Sequence, residues 1–461
     1  MSRSSLEPST PELLVRMAAP SIEVERSRRY AWYVVAMLLA VSVLGYLDRL
    51  ILSLLISPIK AELGLTDTQV GMITGMAFAL LYVIAGIPIG QLIDKSNRIV
   101  VLAVCVLIWS VATAGGGLAS SFIFLFLARV GVGAGEAGVS PAAVSLIGDY
   151  FPANQVQQPL SVFTVGLYAG GGLAIILGAE AVAYLTSLGP IALPIIGTMP
   201  AWRITFLSLG VPGIIVAALL LLTVRNPPRR QAAISIGAGE ASALAYAQAH
   251  RKLLMLLVSA VVLWGMNGYG FINWYPEMLI RSFGMSAHMV ARTYGIAFLV
   301  GGTLGALALA PLVTLVARRG RTDAVFLVSG VALATLTLSS AVGPLMPSRV
   351  GVIAFASLSI LCQSLVVASV YTIITKVAPS ALRGAYTGVY MCIMNITGGA
   401  FGAVLVGMLA DRVVGAARLN VALSIMAVIF GPISTLFMWL AGREFRRTLG
   451  TRETPRARFI G

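Results

Sequence analysis

The chain has 461 residues, 58% of them hydrophobic and only 11% charged, with a formal net charge of +15 and a mean hydropathy of +0.93. A soluble protein of this length would carry about 25% charged residues, so the composition excludes one and defines an integral membrane protein. The long apolar runs exclude a β-barrel, whose strands would read as short alternating segments.

In chain order, residues 1–29 are polar, contain Pro8, Pro11 and Pro20, and lack an apolar core followed by a cleavage site. They read as a disordered cytoplasmic tail rather than a signal peptide. Apolar runs then follow at about 30–57, 70–93, 99–119, 122–148, 160–185 and 202–223, and again at about 252–275, 290–317, 323–343, 349–375, 384–410 and 419–441. Each can cross about 30 Å of hydrocarbon, and they are numbered spans 1 to 12. The expected organisation is an N-terminal six-helix bundle at 30–223, a cytoplasmic inter-bundle loop at 224–251, a C-terminal six-helix bundle at 252–441 and a basic cytoplasmic tail at 442–461. Within the loop, the alanine-rich stretch Ala232 to Ala249 reads as a surface helix.

The basic residues fix the orientation. Of 32 Lys and Arg, 23 fall on the side holding both tails, seven on the other, and Arg49 and Arg129 lie inside the apolar runs. By the positive-inside rule both termini are cytoplasmic, in the inner (plasma) membrane of a cell. The same distribution, confined to short loops and tails, argues against nucleic acid as a partner. Cys105, Cys362 and Cys392 lie in apolar runs without ligand spacing and read as core residues. His250 and His288 fall in loops, so no metal site is expected.

The two halves resemble each other. Pro152 and Gly171-Gly172 recur 227 residues later as Pro379 and Gly398-Gly399. Two parallel six-helix repeats are a transporter architecture with the substrate site between them near mid-membrane. The fold class is therefore an all-α membrane protein of twelve transmembrane helices in two pseudo-symmetric bundles.

Ionisable groups inside hydrocarbon are costly and mark function. Span 4 carries R-V-G-V-G-A-G-E-A from Arg129 to Ala137, and span 1 carries Asp48 and Arg49 near its far end. Counting depth at 1.5 Å per residue places Arg129 in one outer layer with Asp48 and Arg49. Glu136 is two turns deeper, without a cation at its level. A carboxyl group so placed is suited to carry a proton. Glu136 and Asp48 are thus the expected proton-coupling residues, with Arg49 and Arg129 as their charge partners. The competing reading is a static network holding spans 1 and 4 together. Gly131, Gly135 and Gly138 supply a small-residue face for close helix packing. The 227 offset sets Gln363 opposite Glu136 and Ala356 opposite Arg129, so the second half keeps polarity without charge. Span 7 reads W-G-M-N-G-Y-G-F-I-N-W-Y-P from Trp264 to Pro276. Its glycines and proline predict a bendable outer gate, with Asn267, Tyr269 and Asn273, together with Gln363, as candidate substrate contacts. Trp274 and Tyr275 fit equally well as interfacial anchors.

These residues resemble the major facilitator superfamily. G-Q-L-I-D-K-S-N-R from Gly90 to Arg98 is similar to its signature loop between spans 2 and 3. The second-half copy, Ala317 to Arg321, keeps arginines but has Ala317 in place of the aspartate. Leu47-Asp48-Arg49, the span 4 motif and the exit Asp149-Tyr150-Phe151-Pro152 resemble, more narrowly, the Spinster-like branch. That branch implies export of sphingolipids or lysolipids. The superfamily further implies that Asp94, with Lys95 and Arg98, is a latch that favours the outward-open state and breaks in the inward-open one.

No G-x-x-x-x-G-K-[ST] loop is present, so ATP does not drive the protein directly. No histidine falls in a span, so a lipid-modifying enzyme is disfavoured. The expectation is a secondary active transporter working by alternating access as a monomer, without cofactor, using protons as coupling ion. Its substrate is expected to be a small amphipathic molecule. The alternative is a carrier of drugs, sugars or organic anions.

Overall fold

The computed structural model describes residues 10–152, 155–193, 197–229, 245–379 and 382–448. Among them, twelve helices are long and apolar enough to cross a membrane. The first six are Arg28–Leu54, Asp67–Lys95, Arg98–Gly116, Phe122–Tyr150, Ala169–Ser187 and Ala201–Thr223. The second six are Arg251–Phe283, Ala287–Ala317, Ala324–Leu345, Arg349–Val377, Tyr386–Val414 and Ala416–Thr448. The expected all-α membrane architecture of two six-helix bundles is what the chain adopts. Twelve crossings return it to the side on which it starts. We call that side the terminal end and the opposite side the distal end.

Local sequence explains where the spans begin and stop. Thr66 opens span 2 with a capping box: its hydroxyl accepts from the Gln69 amide, and the Gln69 side chain accepts from the Thr66 amide. Asn97, Ser121, Ser286 and Ser348 cap spans 3, 4, 8 and 10 by accepting from first-turn amides, without the reciprocal bond. Pro88, Pro212, Pro276, Pro311 and Pro432 all lie inside helices, where packed neighbours compensate for the lost donors.

Four features differ from the sequence reading. The first helix begins at Thr10, within the stretch read as a disordered tail. The alanines, leucines and glutamates there are good helix formers, and they outweigh Pro20. Span 4 is not one rod: helix Phe122–Glu136 ends at Ala137, and helix Val139–Tyr150 restarts after Gly138. Span 7 is one continuous helix from Arg251 to Phe283 through Pro276, and its glycines are buried against neighbouring helices. A short hairpin, Ile191–Leu193 paired antiparallel with Gly197–Met199, connects spans 5 and 6 at the distal end. Of the expected surface helix, residues 245–249 are helical and 232–244 lie outside the described residues.

Among the described residues, the buried apolar core is shared by the two halves at one end and divided at the other. At the distal end a single apolar cluster runs through both, from Leu50, Leu54 and Ile73 to Trp274, Met278 and Ala403. Toward the terminal end the buried residues divide into a first-half cluster around Leu102 and Leu146 and a second-half cluster around Val325 and Val366. Spans 2 and 11 show the same change along their length. A Cβ on Gly71 would lie 2.5 Å from the Ala403 carbonyl oxygen, and one on Gly75 would lie 2.4 Å from that of Gly399. Nearer the terminal end, Gly86, Gly90 and Gly388 have open space instead. Both helices are π-wound where they meet, over Met72–Met76 and Met394–Gly402, a winding that recurs at functional sites.

Candidate functional site

Between the halves lies a cavity of about 330 Å³. Phe78, Phe271, Phe298, Ile360 and Met394 supply much of its apolar wall, while Arg49 and Glu136 are the ionisable pair on it. Toward the terminal end its lining continues through Tyr82, Tyr371 and Tyr390.

The four intramembrane charges form two separate pairs. Asp48 and Arg49 are adjacent on a helix, so their side chains leave it about 100° apart. Arg49 turns to the cavity, where its Nε donates to Glu136 Oε2 at 2.6 Å. The guanidinium lies 4.3 Å from the centre of the Phe78 ring, with the Tyr82 and Tyr46 rings at 5.5 and 5.8 Å. These aromatic faces favour the cation electrostatically. About a third of the Arg49 side chain is exposed (32%), against 2% of Glu136. Gly45 faces the carboxylate, and a Cβ there would come within 3.2 Å of Glu136 Oε2. The other carboxylate oxygen, Oε1, is buried and has no hydrogen-bond partner among the described residues.

Asp48 turns the other way. Thr113 donates to its Oδ2 at 2.5 Å, and Arg129 approaches its Oδ1 at 3.4 Å. Asp48 and Arg129 are both buried, and neither lines the cavity. The expected single outer layer of Asp48, Arg49 and Arg129 is therefore corrected, as is a Glu136 without a cation. An arginine side chain is longer than one helical turn, so depth counted at the Cα does not give the depth of its charge.

Among the candidate substrate contacts, Tyr269, Asn273 and Gln363 line the cavity. Gln363 is held by Trp264, whose indole N–H donates to its Oε1 at 2.9 Å. Asn273 donates to the Tyr269 carbonyl of its own helix at 2.8 Å. Asn267 is buried and absent from the lining, because it lies on another face of span 7. Trp274 and Tyr275 are not interfacial anchors. Both are fully buried, donating to the carbonyls of Ala403 and Val352.

The expected latch residues also separate. Asp94 and Lys95 are exposed at the terminal end. Arg98 is buried and faces its own half. It pairs with Asp149 at the end of span 4, and donates to Asn226 Oδ1 at 2.9 Å and to the Pro227 carbonyl at 2.7 Å. It pins spans 3 and 4 to the inter-bundle segment. Arg229 closes the same corner by donating to the carbonyls of Ile93 and Ser96, a favourable place for a cation at a helix C-terminus.

Sequence reasoning missed a second charged constellation, at the distal end. Arg281 of span 7 binds Asp67 of span 2 through two nitrogens, at 2.9 and 3.1 Å, and binds Glu277 one turn back at 2.9 Å. Ser57 donates to Glu277 and Lys60 to Asp67, both at 2.6 Å. Asp411 of span 11 accepts from the Asp67 and Thr68 amides and from the Thr68 hydroxyl, placing a carboxylate on the positive end of span 2. First-half Lys60, Asp67 and Thr68 are thus tied to second-half Glu277, Arg281 and Asp411. The available signal was Glu277 and Arg281, an acid and a base four residues apart at the end of a long apolar run.

This architecture, with paired charges beside a cavity enclosed by two six-helix halves, defines a membrane transporter. The family model described as Major Facilitator Superfamily matches residues 37–403, and the chain belongs to that family. Within it the likeness is to the Spinster-like branch. A solved bacterial homologue of the human lysosomal transporter Spinster, described as inward-facing and unoccupied, superposes with a TM-score of 0.76 at 26% identity. That match covers 91% of this chain and 98% of the other. The mouse protein spinster homolog 3 is 31% identical over 219 residues, 46% of this chain and 40% of its own length. An MFS-type efflux pump of Mycolicibacterium smegmatis is 28% identical over 445 residues, 94% of this chain and 99% of its own.

Proposed function

We propose that this transporter is proton-coupled, works by alternating access, and moves an amphipathic solute of the sphingolipid or lysolipid class. The observation that carries the coupling is the Arg49–Glu136 pair: it sits on the cavity wall, and its cation is open to the cavity. A proton arriving at Glu136 cancels the charge that holds Arg49. The guanidinium then becomes an uncompensated cation facing the solute, ready for an anionic or polar head. Asp48 acts on this pair only indirectly, by keeping Arg129 neutralised in the next layer. The aromatic and aliphatic walls suit an apolar body, while Tyr269, Asn273 and Gln363 offer neutral contacts from the second half.

In this reading the terminal end is cytoplasmic, the membrane is a plasma membrane, and a single chain suffices, since its own two halves enclose the site. The distal seal and the parted terminal end then correspond to an inward-open state. Asp94, exposed in that state, is the latch residue that engages when the terminal end closes.

The reading is tested with full-length protein in liposomes. Wild type should show lysolipid flux that responds to an imposed pH gradient. Glu136→Gln should lose the pH response by tenfold or more while keeping gradient-independent exchange. Unchanged coupling in that variant would overturn the role of Glu136. A second reading, an organic-anion carrier, is favoured by Arg49, the single cation on the cavity wall among the described residues. It also draws on likeness to a protein named as a probable L-galactonate transporter of Escherichia coli, 29% identical over 231 residues. Competition between hexuronates and lysolipids for uptake separates the two.

A further inference from the structure

Spans 7 and 12 leave a groove at the terminal end of the second half. It is lined by Lys252, Leu256, Leu440, Arg443, Arg446 and Arg447, with Glu444 among them, and none of these residues lines the central cavity. Some of its charge is accounted for. Lys252 pairs with Glu444 at 3.0 Å, and Arg446 pairs with Asp323 at 3.1 Å. Asp323 is also shared with Arg321, whose guanidinium it holds more firmly protonated through their hydrogen bonds. Among the described residues neither Arg443 nor Arg447 has a carboxylate oxygen within 4.0 Å, the groove's own Glu444 being taken by Lys252. The Arg443 guanidinium instead lies 3.6 Å from the centre of the Trp439 ring, and that tryptophan is 43% exposed.

The order of these side chains along span 12 carries the argument. Leu436, Trp439, Arg443 and Arg447 follow one another at three- and four-residue intervals, so they form one stripe on one helix face. All four are exposed. From mid-membrane outward the stripe reads as an aliphatic group, an indole and two cations. Met255 on span 7 adds a second exposed apolar group, one turn inward of Lys252. An indole at the hydrocarbon boundary with uncompensated arginines beyond it repeats, group by group, the polarity profile of a phospholipid. A cation left without a counter-charge at that depth is stabilised by any phosphate that reaches it. The perimeter position and the apolar run beneath favour a phosphate anchored to acyl chains over a soluble one.

We infer that this groove is a binding site for the headgroup of an anionic phospholipid, held by Arg443 and Arg447 with an acyl chain along Leu436 and Trp439. The site is independent of the transported solute.

Of the six tryptophans, Trp109, Trp202, Trp264 and Trp274 are buried and Trp439 is exposed; Trp32 is half-buried, so brominated-lipid quenching reads this groove once the signal of the other five is removed. The full chain is reconstituted in phosphatidylcholine vesicles containing equal small fractions of dibrominated phosphatidylglycerol or dibrominated phosphatidylcholine. The Trp439→Phe signal is subtracted. Brominated phosphatidylglycerol should quench several-fold more effectively than brominated phosphatidylcholine. The ratio of the two, taken within each variant, should fall roughly fivefold for each of Arg443→Gln and Arg447→Gln. Equal quenching by the two lipids in wild type, or a ratio unchanged in both variants, overturns the site. Loss of the preference on adding inorganic phosphate at constant ionic strength would overturn the lipid assignment in favour of a soluble anion. Its persistence supports the lipid.

Discussion

The pairs Asp48–Arg129 and Arg49–Glu136 join the same two helices with the same chemistry, yet they differ in what else they touch. Asp48–Arg129 is sealed: both partners are buried, and Thr113 supplies a further bond to the carboxylate. Arg49–Glu136 has one face on the cavity, with a third of the arginine exposed and one carboxylate oxygen unpartnered. In the proposed function it is burial, rather than sequence neighbourhood or residue type, that separates a strut from a switch. A sealed pair can only be broken at a cost to the fold, whereas a pair open to a cavity can exchange partners with whatever enters.

That contrast can be broken experimentally, and the largest effect should come from the sealed pair. Asp48→Asn leaves Arg129 as an uncompensated buried cation, which costs about 3–5 kcal/mol. Thermal unfolding in detergent should show a melting temperature lowered by several degrees, with most of it restored in Asp48→Leu/Arg129→Met. If Glu136→Gln lowered the melting temperature as much, the distinction between the pairs would collapse.

Next in size is the distal constellation. Asp67→Asn removes the charge that Arg281 grips and turns one of the two accepting oxygens into a donor, and should shift the population several-fold toward a state with a parted distal end. Spin labels at Ala61→Cys and Ala416→Cys, both exposed, should then show a longer distance component, and an unchanged distribution would contradict the seal. Smaller is Arg49→Lys. Lysine keeps the charge but loses the planar contact with Phe78 and the fork geometry, so pH-driven flux should drop severalfold with the fold intact. Smallest is Asp94→Ala, which should change the melting temperature within error, because the side chain is exposed in this state. Its effect should appear only as a changed balance of states, read by distances across the terminal face.

Much of this was legible in the chain. Spans and their approximate starts follow from apolar run length, and the costly charges from their isolation in hydrocarbon. Partner choice was not legible, for two physical reasons. A count of residues gives depth along a helix but neither azimuth nor the reach of a long side chain, which is how Arg49 was assigned to the wrong layer. In addition, Asp67, Arg281 and Asp411 each look like an ordinary charge at a helix end, and only the docking of two bundles brings them together. Asn267 failed for the first reason, one residue from a cavity-facing glycine but on another side of the helix.

The glycines between spans 2 and 11 have a consequence for how readily the protein changes shape. Gly71, Gly75 and Gly407 each lie so near a backbone carbonyl of the opposing half that an added methyl would fall at 2.3–2.5 Å from it. Backbone cannot swing aside as a side chain can, so the two halves meet there as rigid surfaces with no slack. Occupancy of the closed distal state is therefore metered in single carbon atoms. One Gly→Ala change at any of the three would act as a wedge driven between the halves, one methyl group thick.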